Sequence, residues 1–228
     1  MPDMALTFVR RLSKDDPNAL RETQELLARL QRPWSAPPGV STLERHAGLY
    51  DAVDAEIEAI KGRLPAPLPC AQGCNHCCQF NEIWVSALEA ALIVRHVEAL
   101  PAASRDAIVA RIRAFRGKSG GGPDSPCALL EREGCSIYSV RPLPCRGYSS
   151  LSEAACRARL RDGGADPPNL VATRIVEFAA MDIAEAGRRP PYEINSLLHR
   201  IYSDPAKPRR WAAGDFSDEP DLERRGVK

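Results

Sequence analysis

The sequence predicts a mainly α-helical protein, in which a bundle-like set of helices surrounds an irregular, cysteine-lined centre with at most short β segments. Three observations predict this fold class. Apolar residues recur at helical spacing on both sides of the centre, and no stretch shows the sustained alternation of a strand. All eight cysteines of the 228 residues lie between Cys70 and Cys156. A chain of this length can bury a core without cross-links, so the cysteines are available for another joint task.

The first part of the chain predicts two helices. Asp16 before Pro17 marks a helix start, and Pro33 marks its end. Ser41 and Glu44 form a capping box that starts the second helix, and Gly62 is its expected stop. We expect residues 1–64 to form this helical hairpin, packed on a core domain of residues 65–218, with a loosely docked first dozen residues. His46 is expected on the helix surface.

Further helices follow the first cysteines. Ser86 and Glu89 form a second capping box, which opens a helix that Pro101 closes. Later patterns predict helices over about 104–116, about 169–186 with a stop at Gly187, and about 192–202. The intervening segments are expected to be a flexible glycine-rich linker over 118–124, an irregular stretch with at most two brief strands over 127–148, and a charged, disordered tail over 219–228.

Charge and hydropathy exclude several function classes. The 31 basic and 30 acidic residues nearly cancel, so no basic face draws the protein to nucleic acid. No stretch approaches the roughly 20 apolar residues of a membrane span. Arg10-Arg11 is not followed by the apolar run of an export signal, which predicts a cytoplasmic protein. In that compartment, clustered cysteines indicate metal ligands or redox groups rather than disulfides.

The cysteines fall into two clusters whose spacing suits metal binding. Thiolates bind zinc and iron tightly, and a tetrahedral site takes four ligands. Short spacings aim two sulfurs at one ion with little loss of loop entropy. About fifty residues separate the clusters, and we expect them to converge because the first cannot easily complete two sites alone. The predicted ligands are Cys70, Cys74, Cys77 and Cys78 in the first cluster and Cys127, Cys135, Cys145 and Cys156 in the second.

The adjacent pair Cys77-Cys78 leaves the number of centres open. Neighbouring side chains point apart in most backbone conformations, so both are not expected to bind one ion. Either they serve two neighbouring centres, or one is a ligand and the other is packed or redox-active. Eight cysteines can form two four-thiolate sites, or one iron–sulfur cluster with four further thiols.

Charged neighbours of the cysteines are candidates to support such a centre. Four thiolates around a divalent ion carry a formal charge of about −2, which nearby donors must offset. Arg141 and Arg146 flank Cys145 in sequence, and we expect Arg146 to be buried beside the ligands rather than a surface charge. His76, between Cys74 and Cys77, either supports the ligands or replaces one sulfur.

These segments resemble a known family. The run Cys70-x3-Cys74-x2-Cys77-Cys78, followed by Gly134-Cys135-Ser-Ile-Tyr138 and Arg141-Pro-x-x-Cys145-Arg146, is similar to the YkgJ-type cysteine-cluster family, of the CxxCxxCC type. The first spacing here is three residues, where two is also common. The resemblance covers about residues 70–156, with a weaker similarity at 211–216. It implies a zinc- or iron-chelating domain and supplies no substrate.

Two hypotheses follow for function. The first is a metal-binding module for zinc or iron, with a structural or interaction role. The second is an iron–sulfur redox protein or protein-modifying enzyme. The spacing Cys70-x3-Cys74-x2-Cys77 also matches radical-SAM ligands, but the alternating strands and helices of those barrels do not follow. The sequence shows no Ser-His-Asp arrangement and no pair of catalytic carboxylates.

Overall fold

The computed structural model describes residues 3–14, 16–35, 37, 39–80, 82–115, 126–132, 134–184 and 192–216. In this part of the chain it contains eleven α-helices and two short two-stranded sheets, which confirms the mainly α-helical fold. The predicted linker over 118–124, the helix stop at Gly187 and the tail over 219–228 lie outside the described residues.

The two helices expected before the first cysteine are present as α2 (Pro17–Trp34) and α3 (Thr42–Lys61), and they pack on each other. The side chain of Asp16 accepts a hydrogen bond from the Asn18 amide, and Ser41 and Glu44 form the expected reciprocal capping box. Such caps satisfy amides that have no partner inside the helix. Pro33 lies inside the last turn of α2, so the helix extends slightly past the predicted end.

The expectation of a loosely docked N-terminus is wrong. Residues Met4–Ser13 form helix α1, in which Ala5 and Val9 are buried. The amides of Met4 and Ala5 each donate to the carboxylate of Asp182 at 2.9 Å. Asp182 belongs to helix α9 (Val171–Ala184), and a carboxylate at a helix N-terminus is favoured by the helix dipole. This long-range cap fixes α1 to the core.

The expectation of a surface His46 is also wrong. Its side chain is fully buried on α3, edge-on to Trp34 at 5.8 Å and to Tyr50 at 5.1 Å between ring centroids. Neither ring nitrogen has a hydrogen-bond partner among the described residues. Burial, with a smaller contribution from the positive charge of Arg146, lowers the pKa of His46 to about 3. The imidazole is therefore neutral in the folded protein.

We expect His46 to make folding sensitive to acid. Its pKa is lower in the folded than in the unfolded chain, so its contribution to stability is full above pH 6.5 and is lost as the pH falls toward 3. The loss should be about 1.4 kcal/mol per pH unit in that window. Denaturant unfolding of metal-free parent and His46→Phe, from pH 7 to pH 4, measures it. The two curves should converge toward neutral pH; parallel curves would contradict the assignment.

The remaining predicted helices are present with small shifts at their ends. Helix α5 (Ala87–Ala99) begins at the expected capping box of Ser86 and Glu89, and α6 (Ala102–Ala114) follows it after Pro101. Helix α10 spans Ile194–Ser203. Four shorter helices lie at or near the cysteines and the C-terminus: α4 (Cys77–Phe80), α7 (Leu143–Gly147), α8 (Glu153–Asp162) and α11 (Lys207–Ala212).

Both sheets are pairs of two-residue strands that fix the centre to the helices. Strand β1 (Trp84–Val85) follows the first cysteine cluster and pairs antiparallel with β4 (Tyr192–Glu193), which leads into α10. Strands β2 (Leu130–Glu131) and β3 (Gly134–Cys135) form a hairpin within the second cluster. These are the two brief strands expected over 127–148; the 3₁₀ turn over 138–140 and helix α7 in the same stretch were not predicted.

One apolar cluster joins the described elements from α1 to α11, with Trp211 and Tyr202 among its largest buried side chains. Residues of α3, such as Leu49 and Val53, share it with α5 and α9. The predicted division near residue 64 stays a prediction. Among the described helices, none combines the length and the apolar character that a bilayer crossing requires.

Candidate metal centre

The structure brings the two cysteine clusters together, as the sequence predicted. The amide of Cys127 donates to the carbonyl of Cys78 at 2.8 Å. Gly73 and Gly134 lie backbone against backbone, since a Cβ atom at Gly134 would come within 3.4 Å of Gly73 Cα. Both glycines have positive φ, 93° and 125°, which side-chain-bearing residues rarely adopt. All eight cysteines are free thiols in this arrangement.

Three thiols form one neighbourhood, which we call the outer group: Cys70, Cys74 and Cys156. Burial is the main cause that raises the pKa of each, and their mutual electrostatic repulsion raises it further. Cys70 interacts with Cys156, and Cys74 with both of the others. Cys156 lies on α8, which packs on α4. The first cluster therefore meets the last cysteine of the second.

The other neighbourhood, which we call the inner group, contains Cys127, Cys135 and Cys145. Burial raises the pKa of Cys127 to about 12 and that of Cys145 well above its usual value. Cys145 interacts with both other members, and Cys127 with Cys135. Because proximity to other thiols makes ionisation harder, these groups are neutral near pH 7 unless a cation stabilises their charge.

The vicinal pair lies between the two groups. Cys77 interacts electrostatically with every member of both groups. A hydrogen bond with the Cys78 thiol, together with burial, raises its own pKa. The Cys78 carbonyl in turn holds the inner group through Cys127. The two arrangements expected for the pair, as ligands of neighbouring centres or as one ligand beside a packed or redox-active thiol, stay predictions.

Backbone amides point at several sulfurs and favour their ionised form. The His76 amide donates a hydrogen bond to Cys74, the Leu129 amide to Cys127 and the Ile137 amide to Cys135. Each of these hydrogen bonds lowers the thiol pKa against the larger, opposite effect of burial. Each donor lies two residues after its cysteine. The Ser150 amide acts on Cys70 in the same way, and the Ser150 hydroxyl acts on Cys156. Hydrogen bonds to the charged form stabilise a thiolate, which is the form that binds metal.

Carboxylates surround the thiols and oppose their ionisation. In the outer group, the negative charge of Glu153 raises the pKa of Cys74 and Cys156. In the inner group, Glu131 acts on Cys135, Glu193 on Cys127 and Glu89 on Cys145. Amide donors thus favour the thiolate while the surrounding negative charge disfavours it, so a bound cation would remove the main cost of ionisation.

Glu89 has a second role that its capping box does not reveal. It is 1 % exposed, and it accepts hydrogen bonds from the Ser86 amide at 2.9 Å, the Leu143 amide at 2.8 Å and the Tyr50 hydroxyl at 3.3 Å. The Leu143 amide is at the start of α7, the helix that carries Cys145. One buried carboxylate therefore caps α5 and also positions the Cys145 helix.

Asn195, also absent from the sequence-based assignment, holds the start of the inner group. Its side chain is fully buried at the beginning of α10. Its Oδ1 accepts a hydrogen bond from the Ala128 amide at 2.8 Å and from the Cys127 thiol at 3.6 Å. An asparagine in the first turn of an amphipathic helix gave no sequence signal for this role, because its partners are 67 and 68 residues away.

Arg146 is buried, as expected, and is 2 % exposed. Its guanidinium donates to the carbonyls of Arg141 at 2.7 Å and Ser139 at 2.6 Å, forms an ion pair with Asp54, and lies 4.1 Å from the Tyr50 ring centroid. These contacts brace the backbone before Cys145 and connect it to α3. No hydrogen bond from Arg146 to a sulfur is among the contacts of the described residues, so its contacts with the Cys145 segment are made through the backbone.

Arg141 and His76 occupy different positions beside the cysteines. Arg141 lies over the Tyr138 ring at 4.0 Å, and its charge lowers the pKa of Cys135 against the larger effect of burial. His76 Nε2 lies 3.3 Å from Glu153 Oε1, while its Nδ1 is buried with no partner among the described residues. His76 therefore contacts an acidic neighbour of the outer group.

The comparison with protein families agrees with this arrangement. Residues 69–162 match the CxxCxxCC family model, described as a "putative zinc- or iron-chelating domain". We call this matched segment, residues 69–162, the CxxCxxCC domain after the family model to which it is similar. The domain contains all eight cysteines and both Gly73 and Gly134, but α1, α2, α3, α9 and α10 lie outside it, as does the 211–216 segment. No curated protein and no solved structure matches the chain.

The description of the CxxCxxCC domain supports metal binding, with zinc or iron as the candidate metals. Within the described residues, no group of three or more histidine, cysteine, aspartate or glutamate side chains is arranged as a finished metal site. The donor set nevertheless fits a thiophilic metal, since it consists of free thiols with amides directed at them and carboxylates around them.

Proposed function

We propose that the chain is a metal-binding protein in which the CxxCxxCC domain holds two adjoining thiolate centres. Cys70, Cys74 and Cys156 would bind the first ion, and Cys127, Cys135 and Cys145 the second. Cys77 and Cys78 would supply the fourth ligand of each. The observation that carries this proposal is the meeting of the two clusters, in which the Cys127 amide donates to the Cys78 carbonyl at 2.8 Å. The electrostatic interactions among the thiols support it, since they divide six thiols into two neighbourhoods and Cys77 interacts with both.

The negative charge around the thiols favours divalent cations as the bound species. The carboxylates beside both groups already repel negative charge, and two four-thiolate centres add about −4. Among the described residues, Arg141 and Lys61 are cations whose charge acts on a cysteine. Two separate metal ions, one in each centre, divide this negative charge between the outer and the inner group. Zinc and ferrous iron both suit tetrahedral thiolate sites, and an iron–sulfur cluster is the alternative. A reducing, cytoplasmic environment is part of the proposal, because the ligands must remain thiols.

Metal stoichiometry in single-cysteine variants tests the division. Anaerobically purified parent protein, reconstituted with Zn²⁺ or Co²⁺, should hold two ions. Cys156→Ala should lose the outer ion and keep one, and Cys145→Ala should lose the inner ion and keep one. Ala154→Ser, an exposed change on the same helix as Cys156, is the matched control and should keep two. Elemental analysis and the thiolate absorption of bound Co²⁺ measure both quantities.

Three other results would distinguish the alternatives. A single ion in the parent, lost completely in both cysteine variants, would replace two centres by one shared centre. Brown protein with acid-labile sulfide would favour the iron–sulfur alternative, and with it a redox or protein-modifying role. Absence of metal after anaerobic reconstitution, in protein that is folded by circular dichroism, would overturn metal binding itself.

A further inference from the structure

A cleft borders helix α7, the helix that carries Cys145, at Pro144 and at Tyr148 just after the helix. It is lined by four parts of the chain: α1, the segment of β1, α7 with the residue after it, and α9. Its volume of about 800 Å³ falls within the range of small-molecule sites. Two of its walls, α1 and α9, lie outside the CxxCxxCC domain, so this cleft depends on parts of the chain that the family description does not cover.

The walls of the cleft are mainly apolar and include several aromatic rings. Phe8 of α1 and Phe178 of α9 contact each other edge to face, with 4.9 Å between ring centroids. Trp84 lies at the β1 side and keeps 45 % of its surface exposed, although it is large and apolar. Together with the two phenylalanines, Trp84 gives the cleft the aromatic lining that small-molecule sites commonly have.

Two arginines and two glutamates line the cleft, so its formal charges cancel and the ionisation of the buried Glu177 sets the balance. Arg11 is exposed and has no ion-pair partner among the described residues. Arg174 lies over the Phe178 ring at 5.0 Å and pairs with Glu177, whose side chain is only 3 % exposed. The burial of Glu177 raises its pKa to about 8, so near pH 7 it carries little negative charge. Glu82 is the other acidic residue that lines the cleft.

We propose that this cleft binds an apolar carboxylate, such as a medium-chain fatty acid or an aromatic acid. The carboxylate would contact Arg174 and Arg11, since guanidinium groups bind carboxylates with paired hydrogen bonds. The apolar body would lie against Phe8, Phe178 and Trp84. The site uses none of the cysteines, so occupation of the cleft does not require a metal ion in the cysteine centre.

Decanoate, decanol and decylamine, below their aggregation concentrations, form a matched set of probes for the full-length protein. Trp84 reports binding by fluorescence, and Trp84→Phe identifies its signal against Trp34 and Trp211. Decanoate should bind saturably at one equivalent. Decanol should bind about ten- to a hundredfold more weakly, because it lacks the charge-assisted hydrogen bonds, and decylamine more weakly than decanol. The same result is expected with metal-loaded and metal-free protein.

Variants locate the site. Arg11→Gln should weaken decanoate binding about tenfold and leave decanol binding unchanged, whereas Arg32→Gln, at an exposed arginine on α2, should change neither. Thr7→Trp, an exposed position on the cleft wall, should fill the cleft and abolish binding of both ligands. Equal affinities for decanoate and decanol would overturn the choice of a carboxylate. Undetectable decanoate binding, or binding unaffected by Thr7→Trp in folded protein, would overturn the site.

Discussion

Replacing Gly147 with alanine is expected to destabilise the protein by about 3 kcal/mol and to release metal from the inner group. Gly147 ends α7, two residues after Cys145. A Cβ atom there would overlap both the Cβ atom and the carboxylate of Glu177 on α9. Glu177 is buried and cannot move toward solvent without losing its place beside Arg174. Overpacking in a well-filled site costs typically 1–3 kcal/mol and occasionally more, and α7 must shift to relieve it.

Denaturant unfolding and metal content measure the effect of Gly147→Ala, and two further variants make it specific. Gly164→Ala is the matched control, since a Cβ atom at Gly164 meets nothing within 4 Å; its change should stay within about 0.5 kcal/mol. Glu177→Gly should restore room for the added methyl group. A double-mutant cycle should therefore show a favourable coupling of more than about 1 kcal/mol. If Gly147→Ala is as stable as Gly164→Ala, the close packing of α7 on α9 is wrong.

The elements that sequence analysis predicted are those whose signals are local. Helices α2, α3 and α5 each carry a cap and an apolar face within their own residues, and both kinds of signal act over one or two turns. Helix α1 has only about two turns of apolar spacing and a local cap, Asp3, which accepts from the Leu6 amide at 2.8 Å. Its attachment to the core comes from Asp182, which lies 177 residues from Ala5. No local pattern contains that partner, so the N-terminus was expected to be loose.

The short helices near the cysteines could not be predicted for a different reason. Helix α7 has five residues, one of which is Pro144, so it is too short to show a helical period. Helix α8 buries only Cys156, so it has no apolar stripe facing the core. Its cap, Ser152, was the available signal, since the side chain accepts from the Ala155 amide. Both helices owe their position to contacts with α9 and α4 rather than to their own sequence.

The candidate site was predictable in its ligands but not in their grouping. Eight clustered thiols, one adjacent pair and Gly73 were visible in the sequence, and they were enough to expect that the clusters meet. The placement of Cys156 with Cys70 and Cys74 depends on α8 packing against α4. The supports of the site, Glu89 and Asp54, act across 54 and 92 residues, a separation at which a single sequence carries no pairing signal.

Replacing Arg146 with alanine is expected to weaken metal retention by roughly ten- to a hundredfold, the usual cost of losing a residue that holds a ligand in place. The side chain is 1 % exposed and bonds the carbonyls of Ser139 and Arg141. Its loss would leave those carbonyls without their donors and the Cys145 helix without its connection to α3. Arg146→Lys should restore only part of the affinity, because lysine returns the charge without the planar set of donors.

A substitution at Asp54 tests whether Arg146 holds the Cys145 helix in place through its contacts or contributes only its positive charge. Asp54 lies on α3, outside the CxxCxxCC domain, and its carboxylate pairs with Arg146. Asp54→Asn should leave Arg146 buried without its counter-charge and lower the free energy of unfolding by about 2 kcal/mol. This loss is smaller than for a fully buried ion pair, because 41 % of the Asp54 side chain is exposed. Asp51→Asn, at an exposed aspartate on the same helix, should change stability by less than about 0.5 kcal/mol.

Competition with a chromophoric chelator, measured beside the unfolding free energy, separates the outcomes. Bracing by Arg146 predicts that Asp54→Asn also weakens metal retention, by less than Arg146→Ala, because the guanidinium keeps its carbonyl contacts but loses the anchor that positions it. If Arg146→Ala loses stability and yet holds metal as tightly as the parent, Arg146 serves only the packing of α7 on α3. If Asp54→Asn and Asp51→Asn behave alike in both measurements, the ion pair across α3 and α7 contributes nothing to either property.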